Sequence, residues 1–236
     1  MLIAASALTS LLTASAGIGG GMVMIALMSY VVPAAALIPV HGAVQFGSNI
    51  GRTGVLRHHV DWVRFAAFSI GAFIGAAVGA AIAVRLTNSI LLSGLGLFVI
   101  LSVWVPLKRL AAVKHSSFAL IGAITTFLGM FFGATGPINA ALLSNSFNNR
   151  QVLVGTLAAI MSAQHGFKII GFAIVGFVFW PWLPLIGAMI LSGFVGTLCG
   201  SHILHRLPER IFRRLLKIVL TVLALDMIYR GLGMYL

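Results

Sequence analysis

The chain has 236 residues, of which 60% are apolar and only 8% charged, where ordinary soluble domains carry about a quarter charged residues. Neither a soluble fold nor a disordered chain accommodates that much apolar surface, so the composition identifies a polytopic membrane protein with one membrane domain. Fifteen Lys and Arg face three carboxylates, Asp61, Glu209 and Asp226. Most of the basic residues sit in short loops between apolar runs, which is the positive-inside bias of membrane proteins and not a nucleic-acid footprint.

In chain order, residues 1–51 carry no Lys, Arg, Asp or Glu. They begin with a run ending in Ala-Ser-Ala, but no basic residue precedes it as a secretory signal requires, so it is read as part of the fold. The stretch is too long for one span, and Gly17-Ile18-Gly19-Gly20-Gly21 breaks it, because clustered glycine weakens a helix by about 1 kcal/mol per residue. A second break, Gly133-Ala134-Thr135-Gly136-Pro137, interrupts the uncharged run 115–149. The pattern predicts glycine-broken helical hairpins near 2–31 and 116–146. Full spans are predicted near 34–56, 62–84, 88–108, 150–175, 182–204 and 211–233. A long broken helix in place of each hairpin is the alternative. The single cysteine, Cys199, excludes an intramolecular disulfide framework.

The two breaks are 116 residues apart, and matches continue at that offset: Gly17 with Gly133, Gly20 with Gly136, Asn49-x-x-Arg52 with His165-x-x-Lys168. Beyond Trp180-Pro181-Trp182 the offset becomes 121. Gly75-x-x-x-Gly79 then meets Gly196-x-x-x-Gly200, and Arg85-Leu86 meets Arg206-Leu207. The ordered series predicts two structural repeats, 1–112 and 113–236. Equivalent loops differ in charge. Residues 52–64 hold Arg52, Arg57 and Arg64, whereas 177–184 hold two tryptophans and no charge; the next loop reverses the bias. Equivalent loops therefore fall on opposite sides of the bilayer, and the repeats are inverted. Inversion requires an odd number of crossings per repeat. A re-entrant hairpin followed by three transmembrane helices satisfies it, in an all-α polytopic fold.

Inverted repeats with broken helices place substrate at the midplane where the breaks lie. A helix that restarts at a glycine break offers free N–H groups and a partial positive charge to an anion. Gly19, Gly20 and Gly21 at the first break, and Thr135, Gly136 and Asn139 at the second, are candidate substrate-binding residues. Lys168 lies deep in an apolar run, at a cost of at least ~2.5–3.5 kcal/mol on insertion scales. It needs a water-filled cavity, an anion or a polar partner; the alternative is that it snorkels or bonds to backbone carbonyls. Its repeat mate Arg52 can grip an anion bidentately. Asn49 and His165 precede these cations by one helical turn and share their faces. Asp226 and Arg230, spaced i to i+4, are expected to pair with each other. The Gly71-x-x-x-Gly75-x-x-x-Gly79 and Gly196-x-x-x-Gly200 stripes are expected to be packing faces.

The glycine cluster, the Asn49 region running into Arg57 and Val60-Asp61-Trp62, and the second break followed by His165 and Lys168 resemble the sulfite exporter TauE/SafE family over nearly the whole chain. That resemblance implies a bacterial inner-membrane transporter of sulfite, sulfoacetate or other sulfur-containing organic anions.

The sequence has no paired carboxylates, no metal-ligand spacing, no HExxH and no Walker A motif, so an enzyme, a P-loop ATPase and a metal or cofactor centre are not expected. The expected partners are a small sulfur-containing anion and the lipid bilayer, with no nucleic acid, and the oligomeric state is open, a homodimer included. Two alternatives to an alternating-access exporter stand beside it: a passive anion channel or facilitator, and a membrane accessory protein that transports nothing. Coupling ion and direction are not written in the sequence.

Overall fold

A computed structural model describes residues 1–16, 19–83, 85–105, 117–203 and 209–233. Among them are ten α-helices and no strand. They are α1 (Leu2–Ala16), α2 (Gly20–Met28), α3 (Ala34–Val55), α4 (Trp62–Ala83), α5 (Asn88–Trp104), α6 (Phe118–Phe132), α7 (Gly136–Leu143), α8 (Arg150–Ile174), α9 (Leu183–Ile203) and α10 (Glu209–Gly233). Gly17, Ile18, the linker residues Lys108, Arg109 and Lys114, and Arg206 lie outside the described residues.

The boundaries follow local chemistry. The Thr87 side chain accepts from the Ile90 N–H to start α5, and Asn149 accepts from Gln151 and Val152 to start α8. The Asp61 carboxylate accepts from the Arg64 N–H, so the Val-Asp-Trp segment is the amino-terminal cap of α4. The two breaks are turned by Gly19 (φ 106°) and Gly133 (φ 70°), a region of backbone space that side chains with a Cβ rarely enter. Among the described residues, three helical segments are long and apolar enough to cross a membrane: Trp62–Ala83, Arg150–Ile174 and Trp180–Cys199. Three of the six expected spans do not reach that standard. α5 has 17 residues, α3 carries His41, Gln45, Asn49 and Arg52, and α10 carries Arg213, Arg214, Lys217, Asp226 and Arg230.

The chain divides into two compact units. The first comprises Met1–His41, Leu86–Val105 and Phe179–Leu236. Within it α1 lies parallel to α9. Ser192 Oγ donates to the Ile3 carbonyl at 2.6 Å and Ser6 Oγ to the Met189 carbonyl at 2.7 Å. Gly196 lets the Ala7 carbonyl approach its backbone. α2 folds back on α1, with Gly20 against Thr9 and Thr13 and the Thr9 hydroxyl on Met24 Sδ. The first glycine-broken element is thus a helical hairpin, not a long broken helix. α5 runs antiparallel to α10. The Ser89 hydroxyl donates to the Gly231 carbonyl at one end, Gly96 faces Ala224 and Ile228 in the middle, and Trp104 Nε1 donates to Thr221 Oγ1 at the other. Asp226 pairs with Arg230 at 2.7 Å as expected. It also accepts from the Tyr30 hydroxyl, while Arg230 donates to the Ser29 carbonyl and hydroxyl.

The second unit comprises Gly42–Arg85 and Pro106–Val178. Here α4 lies parallel to α6. Gly71 and Gly75 admit the Ala119 and Ala123 carbonyls, and Gly122 admits the Phe68 carbonyl, so the glycine stripe is a packing face. Phe68, Ala72, Phe118, Leu143 and Ile160 form its core. Arg64, paired with Asp61 at 3.0 Å, lies over the Phe118 and Phe147 rings. α8 runs parallel to α6 and antiparallel to the 42–55 part of α3, which it meets through Phe46 at Gly166 and a Thr53–Ser162 hydroxyl pair at 3.1 Å.

Helix boundaries recur at the offsets found in the sequence. Leu2–Ala16 and Phe118–Phe132 are 116 residues apart at both ends, as are the starts of α2 and α7 and of α3 and α8. The starts of α4 and α9, and of α5 and α10, are 121 apart.

Candidate functional site

The second break builds a polar site inside the second unit. α6 stops where Gly133 turns the chain, its N–H on the Gly129 carbonyl. Thr135 then precedes Gly136, the first residue of α7, and accepts the Asn139 N–H on its own carbonyl. Pro137 lacks an N–H, so Gly136 and Ile138 carry the first-turn N–H groups that have no acceptor within the helix. The break thus sets the negative end of α6 beside the positive end of α7.

α8 supplies the facing side chains. Gln164 and Lys168 are one turn apart on the same face. Lys168 is 0% exposed, and its Nζ donates to the Gly133 carbonyl at 2.9 Å. That carbonyl closes the carboxyl-terminal end of α6, where a cation is favoured. An ammonium has three donors, and this bond uses one. No carboxylate pairs with Lys168 among the described residues; Asp61 and Asp226 are held by Arg64 and Arg230. Gly42 makes room for the stem, since a Cβ there would stand 2.8 Å from Lys168 Cδ.

Thr135, Asn139 and Gln164 are as buried as the lysine. Asn139 Nδ2 donates to Gln164 Oε1 at 2.9 Å and touches Met161 Sδ. Thr135 Oγ1, Asn139 Oδ1 and Gln164 Nε2 have no hydrogen-bond partner among the described residues. Buried polar atoms are otherwise almost always paired. Gly129 opens onto the same group, because a Cβ there would stand 3.2 Å from Gln164 Nε2 and 3.5 Å from Thr135 Oγ1.

Of the residues singled out from sequence, Thr135, Gly136, Asn139 and Lys168 come together here. His165 is buried on the same helix. Asn49 and Arg52 lie on α3 in the same unit. The Asn49 amide donates to the Gln45 carbonyl of its own helix, and Arg52 makes no ion pair among the described residues. Gly19, Gly20 and Gly21 belong to the first unit, where Gly19 caps α2 and His41 Nε2–H donates to the Gly21 carbonyl at 3.0 Å. His41 and the Gly133 carbonyl were not among the sequence candidates. Gln164 had a signal, being i−4 from Lys168.

Glycine-broken helices and apolar spans define a multi-pass helical membrane protein. Residues 2–227 match the Sulfite exporter TauE/SafE family, and the chain belongs to that family of membrane transporters. No curated protein and no solved structure matches this chain.

Proposed function

We propose that the chain is a secondary transporter that exports small sulfur-containing anions, such as sulfite or organosulfonates, across the bacterial inner membrane by alternating access. The observation that carries this reading is the fully buried Lys168, paired among the described residues with a carbonyl and no carboxylate, beside the amino-terminal end of α7 and three polar atoms without a partner among those residues. An anion would take the two remaining ammonium donors, the Gly136 and Ile138 N–H groups, the Thr135 hydroxyl and the Gln164 amide. His165, Asn49 and Arg52 would orient or attract it. The N–H groups at Gly20 and Gly21 would give the first break the same chemistry. Membrane potential alone supplies about 2.3 kcal/mol per charge per 100 mV for an outgoing anion.

The inverted-repeat architecture belongs to the same proposal. It is supported by the recurring helix boundaries and by repeated contacts. Gly75 with Ala123 corresponds to Gly196 with Ala7, Gly71 with Ala119 to Ser192 with Ile3, and Gly122 with Phe68 to Ser6 with Met189. Where one repeat uses a glycine, the other twice uses a serine that bonds the approaching carbonyl.

The test is thermal stabilisation of the purified protein by sulfite, sulfate, thiosulfate, sulfoacetate, acetate and chloride. Saturation at 100 times Kd adds about 2.7 kcal/mol. Stabilisation by sulfite or sulfonates that disappears in Lys168→Ala is expected. An unchanged melt with every anion would sink the reading.

A further inference from the structure

The lining of this site holds an acceptor as well as donors. With Asn139 Nδ2 on Gln164 Oε1, the pair leaves Asn139 Oδ1 and Gln164 Nε2 buried and unpartnered. Turning both amides over leaves the same inventory, one NH2 and one carbonyl oxygen. A cation could take that oxygen, but Lys168 and the amino-terminal end of α7 make the surroundings positive. A fully deprotonated oxyanion satisfies the donors and sets its own oxygen against the amide oxygen, which stays unpaired. An anion that keeps one O–H satisfies both.

We propose that the Asn139–Gln164 pair selects monoanionic oxyanions bearing one hydroxyl, hydrogen sulfite among them, over anions of the same shape and charge with no proton to donate. The inference rests on the anion-site reading and adds a specificity determinant to it. Lys168 and the α7 amino terminus then answer to charge, and the amide pair answers to protonation.

Methylphosphonate and methanesulfonate separate these roles. At a pH where methylphosphonate keeps one proton, the two are tetrahedral monoanions that differ by one hydroxyl. Calorimetric titration of the purified full chain should give methylphosphonate an affinity at least about tenfold higher. Asn139→Leu, and the double replacement Asn139→Leu with Gln164→Leu that removes both partners, should bind the two anions alike. Because the wild-type preference is measured without any variant, a poorly folded mutant does not protect the proposal. Equal affinities in the wild type, both lost in Lys168→Ala, would overturn the selection and leave the anion site standing. Failure of both anions to bind would overturn both, and methanesulfonate binding the tighter would overturn the selection alone.

Discussion

Lys168 is the residue on which charge and packing meet. Its stem needs the space left by Gly42, where a Cβ would stand 2.8 Å from Cδ. Gly42→Ala should therefore displace the ammonium from Gly133. Alanine regains up to about 1 kcal/mol of helix propensity, so the melting temperature should move little while affinity for the preferred anion falls about tenfold, or ~1.4 kcal/mol. Titration beside a melt checks this; unchanged affinity would detach Gly42 from the site. That Lys168 needs a polar partner was legible in the sequence, because a charge among apolar residues is costly to leave unpaired. Gln164 was harder, since an uncharged amide in a membrane helix usually serves helix packing. The Gly133 carbonyl was invisible, because every residue carries one and only the turn at φ 70° aims it at the lysine.

At the scale of elements, the small residues decide how close helices come. Gly75 and Gly196 each admit a backbone carbonyl, and a backbone cannot yield as a side-chain tip can. Gly75→Ala and Gly196→Ala should each destabilise the protein by about 1–3 kcal/mol, the usual cost of overpacking. Ser6→Ala and Ser192→Ala lose only a hydroxyl bond to a carbonyl, and each should cost about 0.5–1.5 kcal/mol. Melts in a single detergent would rank the four. A serine variant costlier than the glycine variants would show that the hydroxyl bonds, not the close approach, hold α1 to α9. Helix boundaries were largely legible, because capping residues and glycine clusters are local signals. Their pairing was not. That α4 packs along α6 and α1 along α9 depends on contacts between residues far apart in the chain, which no local pattern records.

For the molecule, the question is whether equivalent helices run in opposite directions, and the first unit holds the evidence. α5 and α10 begin 121 residues apart, yet Ser89 meets Gly231 and Trp104 meets Thr221, which is antiparallel packing. Four crossings in each repeat would make equivalent helices parallel. A re-entrant hairpin and three crossings make them antiparallel. The loop charges argued the same from sequence, since lysine and arginine are retained on one side. The two schemes part on positions within the first unit. With re-entrant hairpins, Asn88, Trp180 and Gly233 all reach the same face of the bilayer. With eight crossings, Asn88 reaches the face opposite Trp180 and Gly233. All three positions are exposed, and Cys199 is the chain's single cysteine. Asn88→Cys, Trp180→Cys and Gly233→Cys, each in a Cys199→Ser background, can be treated with a membrane-impermeant maleimide on sealed vesicles of one orientation. Labelling of all three, or of none until the vesicles are opened, is the expected result. Labelling of Asn88→Cys from the side that leaves the other two protected would reject inversion, and with it the re-entrant reading of both glycine breaks.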